Sequence, residues 1–304
     1  MVDTESISAD FPFNKTKVSV LGSQMSYVDV GSTPQQPVAV FVHGNPTSSY
    51  VWRNIIPHVS DQTRCIAPDL IGFGDSDKIP DLAYRVEDHI KYLDAFMEAV
   101  LPTEKVILIV HDWGATLGFD WASRHENRVA GLVMMEFLPP IDSWSEFPEI
   151  VRTRFQQFRE PELGRKLIID QNLFIEKVFP AGLHRQLSAE EMDEYRRPFL
   201  LPESREPVFQ FPIALPIEGQ PADIWDMAQR HMGWLEQSEV PKLLFWVTPG
   251  AFIGDVRAKA LIEKLRNMKS VYLGQGVHYV QEDHPHKIGQ GISDWFVESV
   301  NTSA

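Results

Sequence analysis

The sequence predicts a mostly parallel β-sheet with helices on both faces, interrupted once by a helical insertion above the sheet edge where folds of this kind bind ligands. Three observations carry that expectation. Short β-branched runs alternate with longer stretches of helical period, the pattern of consecutive βα units. The roughly one hundred residues between the runs Val129–Met135 and Leu243–Val247 contain no convincing strand, and a structureless loop of that size does not belong in a compact domain. A length of 304 residues with 43% apolar content fits one large domain, or one domain carrying an insertion, with a sizeable core.

Taken in order, the strands begin with Lys17–Leu21 and Gln24–Val30, an antiparallel pair about a turn at Gly22. Val38–Val42, Cys65–Ala67, Val106–Val110, Val129–Met135, Leu243–Val247 and Val271–Leu273 follow, eight strands in all. Helical period marks Ser48–Val59, Val86–Val100, Ala115–His125, Val256–Met268 and Pro285–Val300. In the last, proline suits the first helical turn, with Asp283 as N-cap. The insertion, 139–237, has helical patterns at Phe147–Phe158, Glu162–Ile169, Leu173–Phe179 and Ala189–Arg197, then a proline-rich stretch from Pro198 to Pro221 and a last helix at Ala222–Gln237. It forms a cap on a main domain made of 1–138 and 238–304.

Composition excludes several functions. Twenty-eight basic against forty-two acidic residues give a net charge of −14, so the surface repels phosphate backbones and anionic headgroups, and neither nucleic acid nor membrane is an expected partner. A single cysteine, Cys65, rules out an internal disulfide or a cysteine-based zinc site and reads as a buried thiol. Met1 to Phe13 has no basic segment followed by an apolar one, so no secretory signal is visible, and the longest apolar runs are strand-sized. The expectation is a cytoplasmic protein.

The sharpest local feature is Val106-Ile-Leu-Ile-Val-His-Asp-Trp-Gly114, an apolar strand breaking abruptly into a helix. This is a nucleophile elbow, which lifts one side chain to the sheet's top edge beside a helix N-terminus. That side chain is Asp112, and Val110 stands where the commoner form of the elbow has glycine. A carboxylate nucleophile needs no deprotonation, and it displaces a leaving group at saturated carbon to give an ester. Hydrolysis of that ester requires a base and an oxyanion hole. The base is His278, in Gly276-Val-His-Tyr-Val-Gln-Glu-Asp283. His43 and His111 read as structural, His284 and His286 as solvated. Two acids could orient His278: Asp255, beyond the strand Leu243–Val247, and Glu136, which is favoured because an ionisable group directly after an apolar strand needs a partner. The second motif, Val38-Ala-Val-Phe-Val-His-Gly-Asn-Pro46, turns at Gly44 and aims the next backbone N–H at a developing oxyanion. Asn45 and Trp113 add two neutral side-chain donors, suited to a soft departing anion.

His43-Gly-Asn-Pro-Thr-Ser-Ser-Tyr-Val-Trp-Arg-Asn54, Pro68-Asp-Leu-Ile-Gly-Phe-Gly-Asp-Ser76, His111-Asp-Trp-Gly114, Met135-Glu136 and Gly276–Asp283 together resemble the haloalkane dehalogenases of the α/β-hydrolase superfamily. The resemblance runs from about residue 17 to 297 and includes Asn172–Val178 and Pro216–Asp223 in the insertion. It implies an α/β-hydrolase fold, with Asp112 as nucleophile, His278 as base, Glu136 as acid and Asn45 with Trp113 as the halide-binding pair. By similarity Phe155, Phe174, Phe211 and Pro212 line the pocket, and Gly182 and Phe252 stand where related enzymes vary the tunnel mouth. A halogenated hydrocarbon, water and halide are the implied partners of a monomer or homodimer, with no metal, nucleotide or flavin. Three rivals share this ground. An epoxide hydrolase uses the same triad but protonates its leaving oxygen, usually from two cap tyrosines, and this cap offers only Tyr195. A coelenterazine-type cofactor-independent monooxygenase retains the same five positions. A non-catalytic receptor on this fold normally has a broken triad, and none of the three positions is broken here.

Overall fold

A computed structural model of the chain describes residues 6–31 and 36–300, so the first five residues of the polar N-terminal stretch lie outside the described part. Eight strands form one sheet in the order β1-β2-β4-β3-β5-β6-β7-β8. They are β1 Lys15–Val20, β2 Ser23–Val30, β3 Val38–Val42, β4 Cys65–Pro68, β5 Val106–Asp112, β6 Val129–Phe137, β7 Lys242–Pro249 and β8 Met268–Gly276. β1 and β2 are antiparallel, β2 is antiparallel to β4, and every later pairing is parallel. The strands run past the apolar segments because the ladder pairs backbone, not side chains: β1 begins at Lys15, opposite Val28.

Val40, Val42, Ile66, Leu108, Val110, Leu132 and Met134 point to one face, among Leu93, Phe96 and Met97 of α1 (Val86–Val100) and Leu117 of α2 (Trp113–Arg124). Their neighbours Ala39, Phe41, Ile107, Ile109, Val133 and Met135 point to the other, against Ile288, Ile292 and Trp295 of the C-terminal helix, Pro285–Val300. Strands covered on both faces must be apolar at every position, which is why they read as unbroken runs. Cys65 is buried, and burial pushes its thiol up to about 12.

Between β6 and β7 the described structure contains no strand, only helices, turns, loops and isolated bridges at Ile141, Ile217 and Gln220. α3 Glu149–Arg159, α4 Pro161–Arg165, α5 Phe179–Ala181, α6 Ala189–Arg196, α7 Glu206–Ile213 and α8 Ala222–Gln237 are joined by short 3₁₀ and π turns. After β7 come α9 Asp255–Lys264, α10 Val280–Asp283 and α11, the C-terminal helix already described.

Several expectations need correction. Ser48–Val59 is not one helix but two 3₁₀ turns, Ser49–Trp52 and Ile56–His58; Pro57 has no N–H to give Arg53 and its ring crowds that carbonyl. The proline-rich stretch hides α7, whose Pro207 occupies the first turn, where a missing N–H costs nothing. Asp283 does not cap α11. It closes α10 and accepts the backbone N–H groups of His184 and Arg185, while the His284 carbonyl takes the first bond of α11 from Ile288. His284 and His286 are half-buried and bonded to the Gln275 carbonyl and to His58. No helix among the described residues is long and apolar enough to cross a membrane.

Candidate active site

β5 ends at Asp112 and α2 starts at Trp113, with Asp112 forced to φ 53° and ψ −131°. A non-glycine residue at positive φ is strained, and here the strain stands its carboxylate clear of the turn. Two glycines let the elbow close. A Cβ on Gly44 would lie 2.5 Å from Asp112 Oδ2, and one on Gly118 would lie 2.8 Å from Val110 Cγ1. Gly118 therefore makes the room that glycine at 110 provides in the commoner elbow. The Asn45 backbone N–H donates to Asp112 Oδ2 at 2.8 Å, which places that oxygen in the turn after β3.

His278 follows β8, and its loop is pinned at both ends of the residue. The His278 and Tyr279 amides donate to the Gly182 carbonyl at 2.9 and 3.0 Å, and His111 Nε2 bonds the His278 carbonyl at 2.9 Å. Burial holds the His111 imidazole down to about 3, so it stays neutral and acts as a strut. His43 is a strut as well, its Nε2 accepting the Leu70 N–H at 2.9 Å. The His278 ring points Nε2 at Asp112 Oδ1, 3.7 Å away, and Nδ1 at Glu136 Oε2, 3.3 Å away. Burial would lower the His278 pKa, but the two carboxylates outweigh it and raise it to about 9.

Glu136 is fully buried at φ 41° near the end of β6. It accepts N–H groups of Ala251 and Phe252 on Oε2 and of Ile253 on Oε1, at 3.1, 2.9 and 3.1 Å. Asp255, the other candidate, has a side chain 45% exposed and paired with Lys259 at 2.8 Å. The fold thus brings Asp112, His278 and Glu136 together and leaves Asp255 outside.

Asn45 and Trp113 both face a cavity of about 480 Å³, whose floor they form with Asp112 and His278. Asn45 Nδ2 donates one proton to the Val208 carbonyl at 3.2 Å, which leaves its second for the cavity. Trp113 Nε1 has no partner among the described residues. Its ring is stacked on Phe211 at 4.9 Å and 18°, and Phe211 in turn on His89 at 4.6 Å. Phe155, Phe174, Pro212 and Phe252 are among the residues lining the cavity, whereas Phe211, expected beside them, is not. It is fully buried and stacked behind Trp113, immediately before Pro212 on α7.

Sequence reasoning missed three contributors. Tyr279 lines the cavity and donates its hydroxyl to the Asn45 carbonyl at 3.0 Å, fixing the turn after β3. Glu146 brings a carboxylate to the exposed rim, beside Pro148, Ala181 and Pro249. A buried cluster joins Arg53 to Glu282 at 2.5 Å and to Glu191 at 2.8 Å, with Arg185 and the Tyr195 hydroxyl completing it. Tyr195 therefore spends its hydroxyl on Glu282 and does not line the cavity. No sequence signal links Arg53 and Glu282 to each other or to the Arg185–Tyr195 segment, from which both lie far along the chain. Among the described residues no group of three or more His, Cys, Asp or Glu side chains is arranged to hold a metal ion.

Residues 37–285 match the family described as the alpha/beta hydrolase fold. Over 288 residues the chain is 47% identical to a haloalkane dehalogenase of Mesorhizobium japonicum, covering 94% of this chain and 92% of that one. It is 42% identical over 287 residues to one from Sphingobium indicum, covering 93% and 95%. Among solved structures, haloalkane dehalogenase DbeA from Bradyrhizobium elkani superposes with a TM-score of 0.92 at 41% identity, covering 96% of this chain and all of that one. A putative ancestral haloalkane dehalogenase gives 0.90 at 46% identity, covering 93% and 98%. With an eight-stranded sheet of this order and likeness over nearly its whole length, the chain belongs to the haloalkane dehalogenase family of the α/β-hydrolase fold.

Proposed function

We propose that the protein hydrolyses haloalkanes to alcohol, halide and a proton through an alkyl ester on Asp112, in a main domain of 1–138 and 238–304 under a cap of 139–237. The observation that carries this reading is the position of Asp112 beneath an apolar cavity, one oxygen on the Asn45 amide and the other facing His278. In the first step a carboxylate oxygen of Asp112 attacks the carbon bearing halogen in line. The carbon–halogen bond breaks, and the leaving halide is received by Asn45 Nδ2 and Trp113 Nε1. No acid is needed, since chloride, bromide and iodide leave as weakly basic anions.

Alkylation also prepares the second step. While both carboxylates are ionised His278 stays protonated, at about 9. Esterification removes the charge on Asp112, leaving Glu136 as the anion that faces the ring among the described residues, so the imidazole gives up its proton to solvent, the acid released in turnover, and becomes a base. It then deprotonates a water that attacks the ester carbonyl, whose oxygen is received by the backbone N–H groups of Asn45 and Trp113. Water attack at the Asp112 carbonyl carbon restores the carboxylate and releases the alcohol.

The engagement of Tyr195 with Glu282 disfavours an epoxide hydrolase, because the one cap tyrosine is turned away from the cavity. The wild-type protein in weakly buffered indicator with 1-bromobutane or 1,2-dibromoethane is expected to release bromide and acid in equal amounts. No halide release from a broad panel of chloro-, bromo- and iodoalkanes would refute the reading.

A further inference from the structure

We propose that Arg257 is a positioning residue for the ester-hydrolysis step, acting on Glu136 through a single peptide group. Arg257 Nη1 donates to the Phe252 carbonyl at 2.5 Å. The N–H of that same peptide group belongs to Ile253 and donates to Glu136 Oε1 at 3.1 Å. A donor on the carbonyl polarises the amide, so the guanidinium strengthens and aims a hydrogen bond it never touches. Glu136 in turn meets His278 Nδ1 at 3.3 Å. On its other side Arg257 Nη2 is held by Glu146 Oε2 at 2.6 Å, from the 3₁₀ turn Trp144–Glu146 at the rim.

Two features make this more than a surface ion pair. Arg257 stands in the first turn of α9, where the helix dipole disfavours a cation unless it has partners of its own. The loop it touches also supplies all three backbone donors to Glu136. The first half of that loop is tied to the end of β8, Gly250 to the Gly276 carbonyl at 3.2 Å and Ala251 to the Val277 carbonyl at 2.9 Å. Its second half, Phe252 and Ile253, is where Arg257 holds. The Phe252 ring also packs edge-on against His278 at 5.3 Å, so a shift of this loop reaches the base twice.

The proposal rests on the dehalogenase reading for its kinetic test and has a second readout that does not. In single-turnover quenched flow with 1-bromobutane, the Asp112 alkyl ester is followed by mass spectrometry. Arg257→Gln is expected to slow ester hydrolysis on the order of tenfold while ester formation stays within about twofold, and Arg257→Lys to restore most of the loss. Glu146→Gln is expected to slow the same step by less, and the double variant to be no slower than Arg257→Gln. In parallel, the downfield proton of His278 Nδ1–H, assigned by its loss in His278→Gln, is expected to broaden or move upfield in Arg257→Gln and to return in Arg257→Lys. Equal slowing of both chemical steps, or unchanged rates with an unchanged downfield proton, overturns the proposal. Should Arg257→Gln not fold, Glu146→Gln carries the same two tests. If the wild type forms no ester with any haloalkane, the dehalogenase reading has failed, and the downfield proton alone decides the relay.

Discussion

Replacing Asp112 with asparagine mimics the charge state of the alkylated enzyme, and the imidazole of His278 should report it. Nε2 of His278 lies 3.7 Å from Asp112 Oδ1. At an effective dielectric of about 20, a unit charge pair at that distance interacts by about 4.5 kcal/mol, or about 3 pKa units. His278 begins at about 9, so Asp112→Asn should bring it to about 6, below the pH at which a base must work. The measurement is a histidine-labelled NMR titration of wild type and Asp112→Asn between pH 4 and 10. The buried rings of His43, His89 and His111, held at about 4, 3 and 3, stay neutral through most of this range. Assignment comes from the signal missing in His278→Gln. A shift of less than one unit would refute the idea that alkylation itself releases the base.

Other outcomes follow from the same geometry. His278→Phe should accumulate a butyl adduct on Asp112 after 1-bromobutane, visible by intact mass, because only the second step needs the base; an unmodified protein would refute the assigned roles. Glu136→Gln should cut turnover on the order of a thousandfold, while Asp255→Asn leaves it, and the reverse result would reassign the acid. Acid should destabilise the fold early. The unfolded chain protonates His43, His89 and His111 near 6.5 while the native state keeps them neutral, so each withdraws about 2 kcal/mol at pH 5. His278 has the opposite sign, its contribution complete below about 6.5 and lost as pH rises through about 9. Tm should therefore fall from pH 6.5 toward 4; a flat profile from pH 7 to 5 would refute this.

The residues that announced themselves in the sequence sit at the ends of apolar strands, where one polar side chain must have a reason. Asp112, Glu136 and Asn45 all lie at or just beyond such a strand end, and His278 follows the last one. Legibility stopped where contacts depend on distant residues or on proline's local chemistry. Phe211 was expected on the cavity wall, yet it backs Trp113, because which side of α7 faces the ligand depends on a helix concealed by Pro207 and Pro212. Burial separates Glu136 from Asp255, but Arg257 has no local mark at all. Its partners are a carbonyl five residues back and a carboxylate 111 residues away.

The cluster of Arg53, Glu282, Glu191 and Arg185 fastens α6 to the short helix that follows His278. Both pairs that Arg53 makes are buried, so removing its guanidinium alone would strand two carboxylates at a cost of about 3–5 kcal/mol. The helical insertion is thus held at α6 to the segment just after His278, and the exposed rim of the cavity lies at Glu146, Pro148, Ala181 and Pro249. A bulky haloalkane is expected to pass that rim more slowly than a slim one, which would show as a lower kcat/KM.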